Sequence, residues 1–127
     1  MKILWQVSFR PFSKSRTNDA IQMKFIENLK KMNADITLSV TQFDDYGVKN
    51  FLNKSKIKYK YFNFPKKKLP KGSKYSNSIM LLNSMKYYTQ KNFDYFVFSN
   101  ADIFISKKII NILNKKIESD YMGFIYP

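Results

Sequence analysis

The strongest constraint on the fold is a regular alternation of strand-like and helix-like segments along the chain. Strand-like segments are predicted at residues 3–9, 36–40, 57–64, 95–99 and 120–125. Segments with apolar residues at helical spacing lie between them, at residues 18–32, 43–53, 76–90 and 106–117. Parallel strands need such helical crossovers, so the pattern predicts the α/β class. The expected architecture is an open, mostly parallel sheet in a three-layer α/β/α arrangement.

The ends of the predicted strands indicate where function should be sought. In open parallel sheets, ligands bind beyond the carboxyl ends of the strands. We therefore examine the loops that follow Phe9, Thr41, Phe64 and Ser99. Residues 95–99 are apolar on both faces, which predicts a central, buried strand. Asn18 is predicted to cap the first helix.

The turn Asn100-Ala101-Asp102 gives the strongest functional signal, because it abruptly follows the predicted central strand. In an extended segment, side chains two residues apart point the same way, so Asn100 and Asp102 would lie together. Both offer oxygen atoms, and Mg²⁺ or Mn²⁺ is typically held by one or two carboxylates together with substrate phosphates. The alternative is an ordinary turn in which both side chains bond to nearby backbone.

Two further loops carry candidate groups. Asp44 and Asp45 follow the second strand, where acids accept hydrogen bonds from a base or ribose; acids are equally favoured at a helix N-terminus. Residues 71–77 combine Gly72, which permits a tight turn, with Lys74, which is suited to a diphosphate. The alternative for this loop is a solvated basic segment. No P-loop or GxGxxG motif is present.

Composition excludes several kinds of chemistry. The chain has no Cys and no His, so thiol nucleophiles, zinc-thiolate sites and Ser-His-Asp triads within it are excluded. The net charge is +14, and nine lysines with no acid fall in residues 54–74. Only two of the basic residues are Arg, and the abundance of Lys, Asn, Ile, Phe and Tyr fits A/T-rich coding. No apolar run is long enough for a membrane span, and a cytoplasmic location is expected.

Together these features resemble the inverting, rhamnosyltransferase-like family of nucleotide-sugar glycosyltransferases with the GT-A fold. Asp44 and Asp45 fall where that family contacts the nucleotide base. Gly72 and Asn77 fall on the Gly and Asn of its helix-start motif. The motif of its central strand, which ends in a DxD-like turn, is matched by Asp94, Tyr95, Phe98, Asn100 and Asp102.

The resemblance implies one GT-A-like nucleotide-sugar-binding domain over residues 1–127, incomplete at its C-terminus, from a hexosyltransferase-type enzyme. Mg²⁺ or Mn²⁺ would be held by Asp102 and Asn100. The implied partners are a nucleotide-diphosphate sugar and a glycan, lipid or protein acceptor, with peripheral membrane association left open. The implied donor-site residues are Ser8, Arg10, Asp44, Asp45, Lys74, Asn77, Asn100 and Asp102.

Three departures from the family pattern bear on this hypothesis. Ser76 replaces the Arg that often precedes Asn77, although Lys74 offers a substitute charge. Residues 10–12 lack the usual Tyr-Asn signature. The chain reaches Pro127 before the acceptor-binding half and the catalytic Asp or Glu, so no catalytic residue is assigned.

Two alternatives stay open. One is a basic nucleic-acid-binding module, suggested by lysines that alternate with aromatic residues at 58–62. It ranks lower because Tyr59 and Tyr61 would share one strand face and Lys58 and Lys60 the other, as in an ordinary half-buried strand. The other is a truncated glycosyltransferase remnant that has the fold but no activity.

Overall fold

Four strands alternate with four helices in the part of the chain that the computed structural model describes, residues 2–12, 16–63, 76–101, 103 and 105–116. The predicted final strand at 120–125 lies outside these residues, as does the loop at 64–75. The elements in chain order are β1 Lys2–Val7, α1 Arg16–Lys30, β2 Asp35–Gln42, α2 Val48–Ser55, β3 Lys58–Asn63, α3 Ser76–Gln90, β4 Tyr95–Phe98 and α4 Lys107–Lys116.

The strands form one sheet in the order β3-β2-β1-β4, and all described pairs are parallel. Ile3 in β1 lies opposite Ile36 in β2 on one side and Tyr95 in β4 on the other. The chain therefore steps outward from β1 to β3 and then returns past β1 to place β4. This confirms the parallel α/β architecture and creates a reversal of strand order between β1 and β4.

Helices cover both faces of the sheet. Trp5 faces α1, where its ring packs edge-on against Phe25 with 6.1 Å between centroids. Val48 and Leu52 of α2 belong to the same buried cluster. The neighbouring residue Gln6 points the other way, because side chains alternate along a strand. It accepts a hydrogen bond from Ser84 of α3. The helices thus form a layer on each side of the sheet.

The two faces differ in chemistry. The face toward α1 and α2 is an apolar core, and burial of its large side chains supplies about 1.5–3 kcal/mol each. The opposite face carries a buried polar group in which the Ser39 and Ser84 hydroxyls lie 2.7 Å apart. The apolar core contains Ile3, Trp5, Val7, Phe9, Phe25, Ile26, Leu29, Met32, Ile36, Leu38, Val40, Val48, Leu52, Ala101 and Ile105.

Two predictions about these elements are not confirmed. Helix α1 begins at Arg16, so Asn18 lies within its first turn and is not the N-cap. Apolar periodicity marks only the buried face of a helix and does not detect a polar first turn. Among the described strands β4 pairs with β1 alone, and the predicted final strand lies outside them, so the central place of β4 stays a prediction. Its residues are half-buried or exposed, and Phe98 is 49% exposed.

A third difference concerns the segment at 43–53. Helix α2 begins only at Val48, because the preceding residues form a turn. Tyr46 and Gly47 both have positive φ values, 46° and 79°, which a helix does not accommodate. This turn places the acidic pair before the first residue of the helix, at the end of β2.

Candidate functional site

The candidate site lies where the strand order reverses. At that point the carboxyl ends of β1 and β4 are neighbours, and the end of β2 lies on the other side of β1. Helices cross to opposite faces on the two sides of such a reversal, which leaves a crevice beyond the strand ends. Three segments surround it: residues 8–10 after β1, residues 43–47 after β2 and residues 99–101 after β4.

Gln42, the last residue of β2, fixes the loop after β1. Its side-chain oxygen accepts the Phe9 amide hydrogen bond at 2.8 Å, and its nitrogen donates to the Phe9 carbonyl at 3.1 Å. The Ser8 hydroxyl donates to the same oxygen at 3.3 Å. Gln42 is 3% exposed, so these bonds replace water that cannot reach the Phe9 backbone. Ser8 is thereby fixed at the carboxyl end of β1.

A second buried glutamine completes this arrangement. The Arg10 amide donates to the Gln22 side-chain oxygen at 2.7 Å, and the Gln22 nitrogen donates to the Arg10 carbonyl at 3.3 Å. This role of Gln22 was not predicted, although the sequence carries a signal for it. Gln22 falls three and four residues before Phe25 and Ile26, on the apolar stripe of α1, where a buried polar side chain needs a partner.

The acidic pair after β2 divides into two roles. Asp45 accepts the Tyr61 hydroxyl at 2.5 Å and the Lys49 backbone amide at 3.3 Å through the same oxygen, Oδ2. It therefore ties β3 to the first turn of α2, the helix-terminus role that was the alternative for this residue. Asp44 accepts the Tyr46 hydroxyl at 3.1 Å and is half-buried at the end of β2.

The Tyr61–Asp45 hydrogen bond has a pH-dependent consequence. Burial, and then the bond to Asp45, raise the pKa of the Tyr61 phenol well above its usual value of about 10. Because the folded state holds this proton more tightly than the unfolded chain, its contribution is complete below about pH 10 and is lost as the pH rises further. Tyr61→Phe should therefore flatten the fall in unfolding free energy above that pH, measured by urea denaturation.

Tyr59→Phe is the matched control for this experiment. Tyr59 lies on the same strand and the same face, but its hydroxyl donates to the neutral side chain of Asn53. The control variant retains the Tyr61 contribution and should follow the wild-type pH profile apart from its own lost hydrogen bond. If the unfolding free energies of the wild type and Tyr61→Phe changed in parallel between about pH 9 and 11, the assigned effect of the Tyr61–Asp45 hydrogen bond would be contradicted.

The turn after β4 is anchored through the only tryptophan. The Trp5 indole N–H donates to the Ser99 hydroxyl oxygen at 2.7 Å, and the Ser99 amide donates to the Gln6 carbonyl at 3.2 Å. Ala101 is buried in the core, whereas Asn100 between them is exposed. Asn100 is thus presented at the carboxyl edge on a fixed base. Asp102 lies outside the described residues.

The remaining predicted residues are placed only in part. Asn77 belongs to the first turn of α3, while Gly72 and Lys74 lie outside the described residues. Asp94 is at the opposite end of the sheet, where its carboxylate accepts the Lys2 amide at 2.8 Å and aligns the starts of β1 and β4. Its part in the motif is structural. In the described part of the chain, no three acidic side chains are grouped to hold a metal ion.

The fold and the site together define an open parallel α/β domain with a candidate ligand crevice at the reversal of strand order. Comparisons of the chain with known protein families, curated proteins and solved structures find no match. None of the described helices is both long and apolar enough to cross a lipid bilayer. The function must therefore be argued from the site itself.

Proposed function

We propose that the chain binds a nucleotide-diphosphate sugar at this crevice, as the donor half of a GT-A-type glycosyltransferase. The observation that carries the proposal is the adjacency of β1 and β4 at the reversal of strand order. It brings the braced loop at Ser8 and Arg10 beside the turn that presents Asn100, with Asp44 at the next strand end. These are the segments on which the resemblance places donor contacts.

The geometry favours Asp44 as the residue that contacts the ribose or base. The Asp45 carboxylate links two elements of the fold, because it accepts hydrogen bonds from Tyr61 of β3 and Lys49 of α2, whereas the Asp44 carboxylate accepts the Tyr46 hydroxyl of its own turn. Asp44 is half-buried at the carboxyl edge of the sheet. Its backbone carbonyl accepts a hydrogen bond from the Gln42 side-chain nitrogen at 3.4 Å. A carboxylate in this position accepts ribose hydroxyls, as acidic residues do in other nucleotide-binding α/β folds.

The diphosphate is assigned to the β4 side of the crevice. Asp102 and Asn100 offer oxygen ligands for Mg²⁺ or Mn²⁺, a donor set that suits hard cations. One carboxylate and one amide make a weak site alone, so the affinity relies on diphosphate oxygens. The bound metal would supply stabilisation of negative charge on the departing diphosphate. The first turn of α3, which contains Asn77, offers the positive end of a helix dipole, and the resemblance assigns Lys74 to the diphosphate.

The reaction class that follows is sugar transfer to a glycan, lipid or protein acceptor. No catalytic base is assigned to the described residues. Donor binding is therefore the property of this chain that can be tested directly.

Isothermal titration calorimetry with UDP-, GDP- and dTDP-sugars, with and without Mn²⁺, tests the proposal. We expect saturable binding of one nucleotide class that requires Mn²⁺ and is reversed by EDTA. Trp5 provides a second readout, because its indole is bonded to Ser99 at the base of the Asn100 turn. Its fluorescence should change with the same saturation curve. Absence of saturable heat with every nucleotide, in a folded protein, would refute the proposal.

A further inference from the structure

Between residues 81 and 85, the outer surface of α3 is apolar, whereas a surface helix normally has a polar outer face. Leu81, Leu82 and Met85 are 41%, 54% and 39% exposed. Ser84, in the same stretch, is fully buried against the sheet. The three exposed apolar side chains therefore point away from the sheet and do not pack on its strands. Helix α3 contains no acidic residue, and its single charged side chain, Lys86, is exposed.

One lysine of strand β3 extends this surface. Lys60 of β3 lies opposite Ser39, whose hydroxyl bonds to Ser84 of α3, so Lys60 is on the side of the sheet that α3 covers. Its ammonium group lies 5.9 Å from the ring centre of Tyr87 in α3. We call Leu81, Leu82, Met85 and Lys86, together with Lys60, the α3 face.

Acidic groups are arranged away from the α3 face. Of the acids in the described residues, Asp19 and Glu27 lie on α1, on the opposite side of the sheet, and Asp44 and Asp45 lie in the turn before α2. The other two are at the amino ends of strands and already engaged. Asp35 pairs with Lys58 at 2.8 Å, and Asp94 accepts the Lys2 amide. The α3 face is therefore both apolar and positively charged.

This combination fits a membrane better than a nucleic acid. Proteins that bind single strands offer aromatic faces on which bases stack. Here Tyr59 and Tyr61 are half-buried against the core, as the alternation of β3 predicted. Phe62 packs edge-on against Tyr87 with 6.3 Å between ring centres. The exposed groups are instead aliphatic side chains flanked by lysines, the composition of helices that lie in a bilayer interface.

We propose that the α3 face docks on an anionic lipid bilayer. Leu81, Leu82 and Met85 enter the boundary between headgroups and acyl chains, while Lys60 and Lys86 contact anionic headgroups. The proposal is independent of the donor site, because four of these residues lie on the outer side of α3, Lys60 lies within β3, and none belongs to the loops at the candidate site.

Co-sedimentation with vesicles tests the proposal by comparing two double variants of the full chain. Leu82→Glu with Lys86→Glu alters the α3 face. Met23→Glu with Lys24→Glu makes the same changes in charge and apolarity on α1, where Met23 is 49% exposed and the Lys24 side chain 50%. We expect wild type and the α1 variant to bind vesicles of phosphatidylcholine and phosphatidylglycerol within about twofold of each other. The α3 variant should bind at least about tenfold more weakly.

Three further arms make the outcome decisive. Vesicles of phosphatidylcholine alone should bind wild type weakly, because the lysines then have no anionic headgroups to contact. If both double variants lost vesicle binding equally, the binding would depend on net charge alone, and the proposal would be overturned. The proposal would also be overturned if wild type bound single-stranded DNA but not anionic vesicles. A dimer in size-exclusion chromatography that is abolished only in the α3 variant would overturn it as well. Circular dichroism verifies that each variant is folded, and donor titration should be unchanged in both.

Discussion

Asp102→Ala should abolish the Mn²⁺-dependent part of donor binding. The change removes the only carboxylate in the Asn100-Ala101-Asp102 turn, and Asn100 alone offers one neutral oxygen. We expect the affinity measured with Mn²⁺ to fall to its value in EDTA. That is a loss of at least about tenfold, equivalent to about 1.4 kcal/mol. Titration calorimetry with the nucleotide sugar that wild type binds gives this measurement.

Glu27→Ala is the matched control for Asp102→Ala. It also removes one carboxylate, from an exposed position on α1 whose side chain is 58% exposed. Its ion pair with Lys24 is on the surface and contributes about 1 kcal/mol or less to stability. Donor affinity should be unchanged in this variant. Wild-type affinity and Mn²⁺ dependence in Asp102→Ala would refute the metal assignment while leaving donor binding itself intact.

Gln42→Leu should destabilise the folded state by about 3 kcal/mol. The substitution conserves much of the volume but leaves the Phe9 amide and carbonyl without their partners in a buried position. Each buried, unsatisfied polar group costs about 1–3 kcal/mol. Urea denaturation followed by circular dichroism measures the change. The midpoint should fall while the denaturant dependence stays the same, because the folded architecture is retained.

Gln90→Leu provides the same chemical change at an exposed position, the end of α3. Surface substitutions of this kind change stability by about 0.5 kcal/mol or less. The difference between the two variants therefore isolates the buried hydrogen bonds of Gln42. Equal midpoints for Gln42→Leu and Gln90→Leu would mean that water satisfies the Phe9 backbone and that the loop is not held by this side chain.

The elements were predictable because burial leaves a period in the sequence. The bounds predicted for α3, residues 76–90, are those observed. The first three strands were found within a few residues, and the alternation of Tyr and Lys on β3 gave the correct faces. The exposure of β4 was not predictable from its own residues. Apolarity on both faces indicates burial, but strand order is set by the crossovers and not by the strand.

The positions of the candidate site residues were predictable only where these residues directly follow strands. Asp44 and Asn100 lie at the carboxyl edge, as the parallel topology requires. Asp45 has its structural role because it bonds to Tyr61. Gln42 has its role because it bonds to Phe9, which lies 33 positions away in the sequence. Hydrogen bonds between residues so far apart in the sequence produce no periodic pattern. The sequence alone therefore does not reveal which polar side chains stabilise the fold.

The two buried glutamines bear on the entropy of ligand binding. Gln42 and Gln22 each form a pair of hydrogen bonds with the backbone of one loop residue, Phe9 and Arg10 respectively. Phe9 and Arg10 therefore lose their backbone conformational freedom when the chain folds. Fixing the backbone of one residue costs about 1–2 kcal/mol of conformational entropy. A ligand that enters the crevice therefore meets a loop that is already ordered at these positions. More of its contact energy remains as affinity, which is the advantage of a preorganised site.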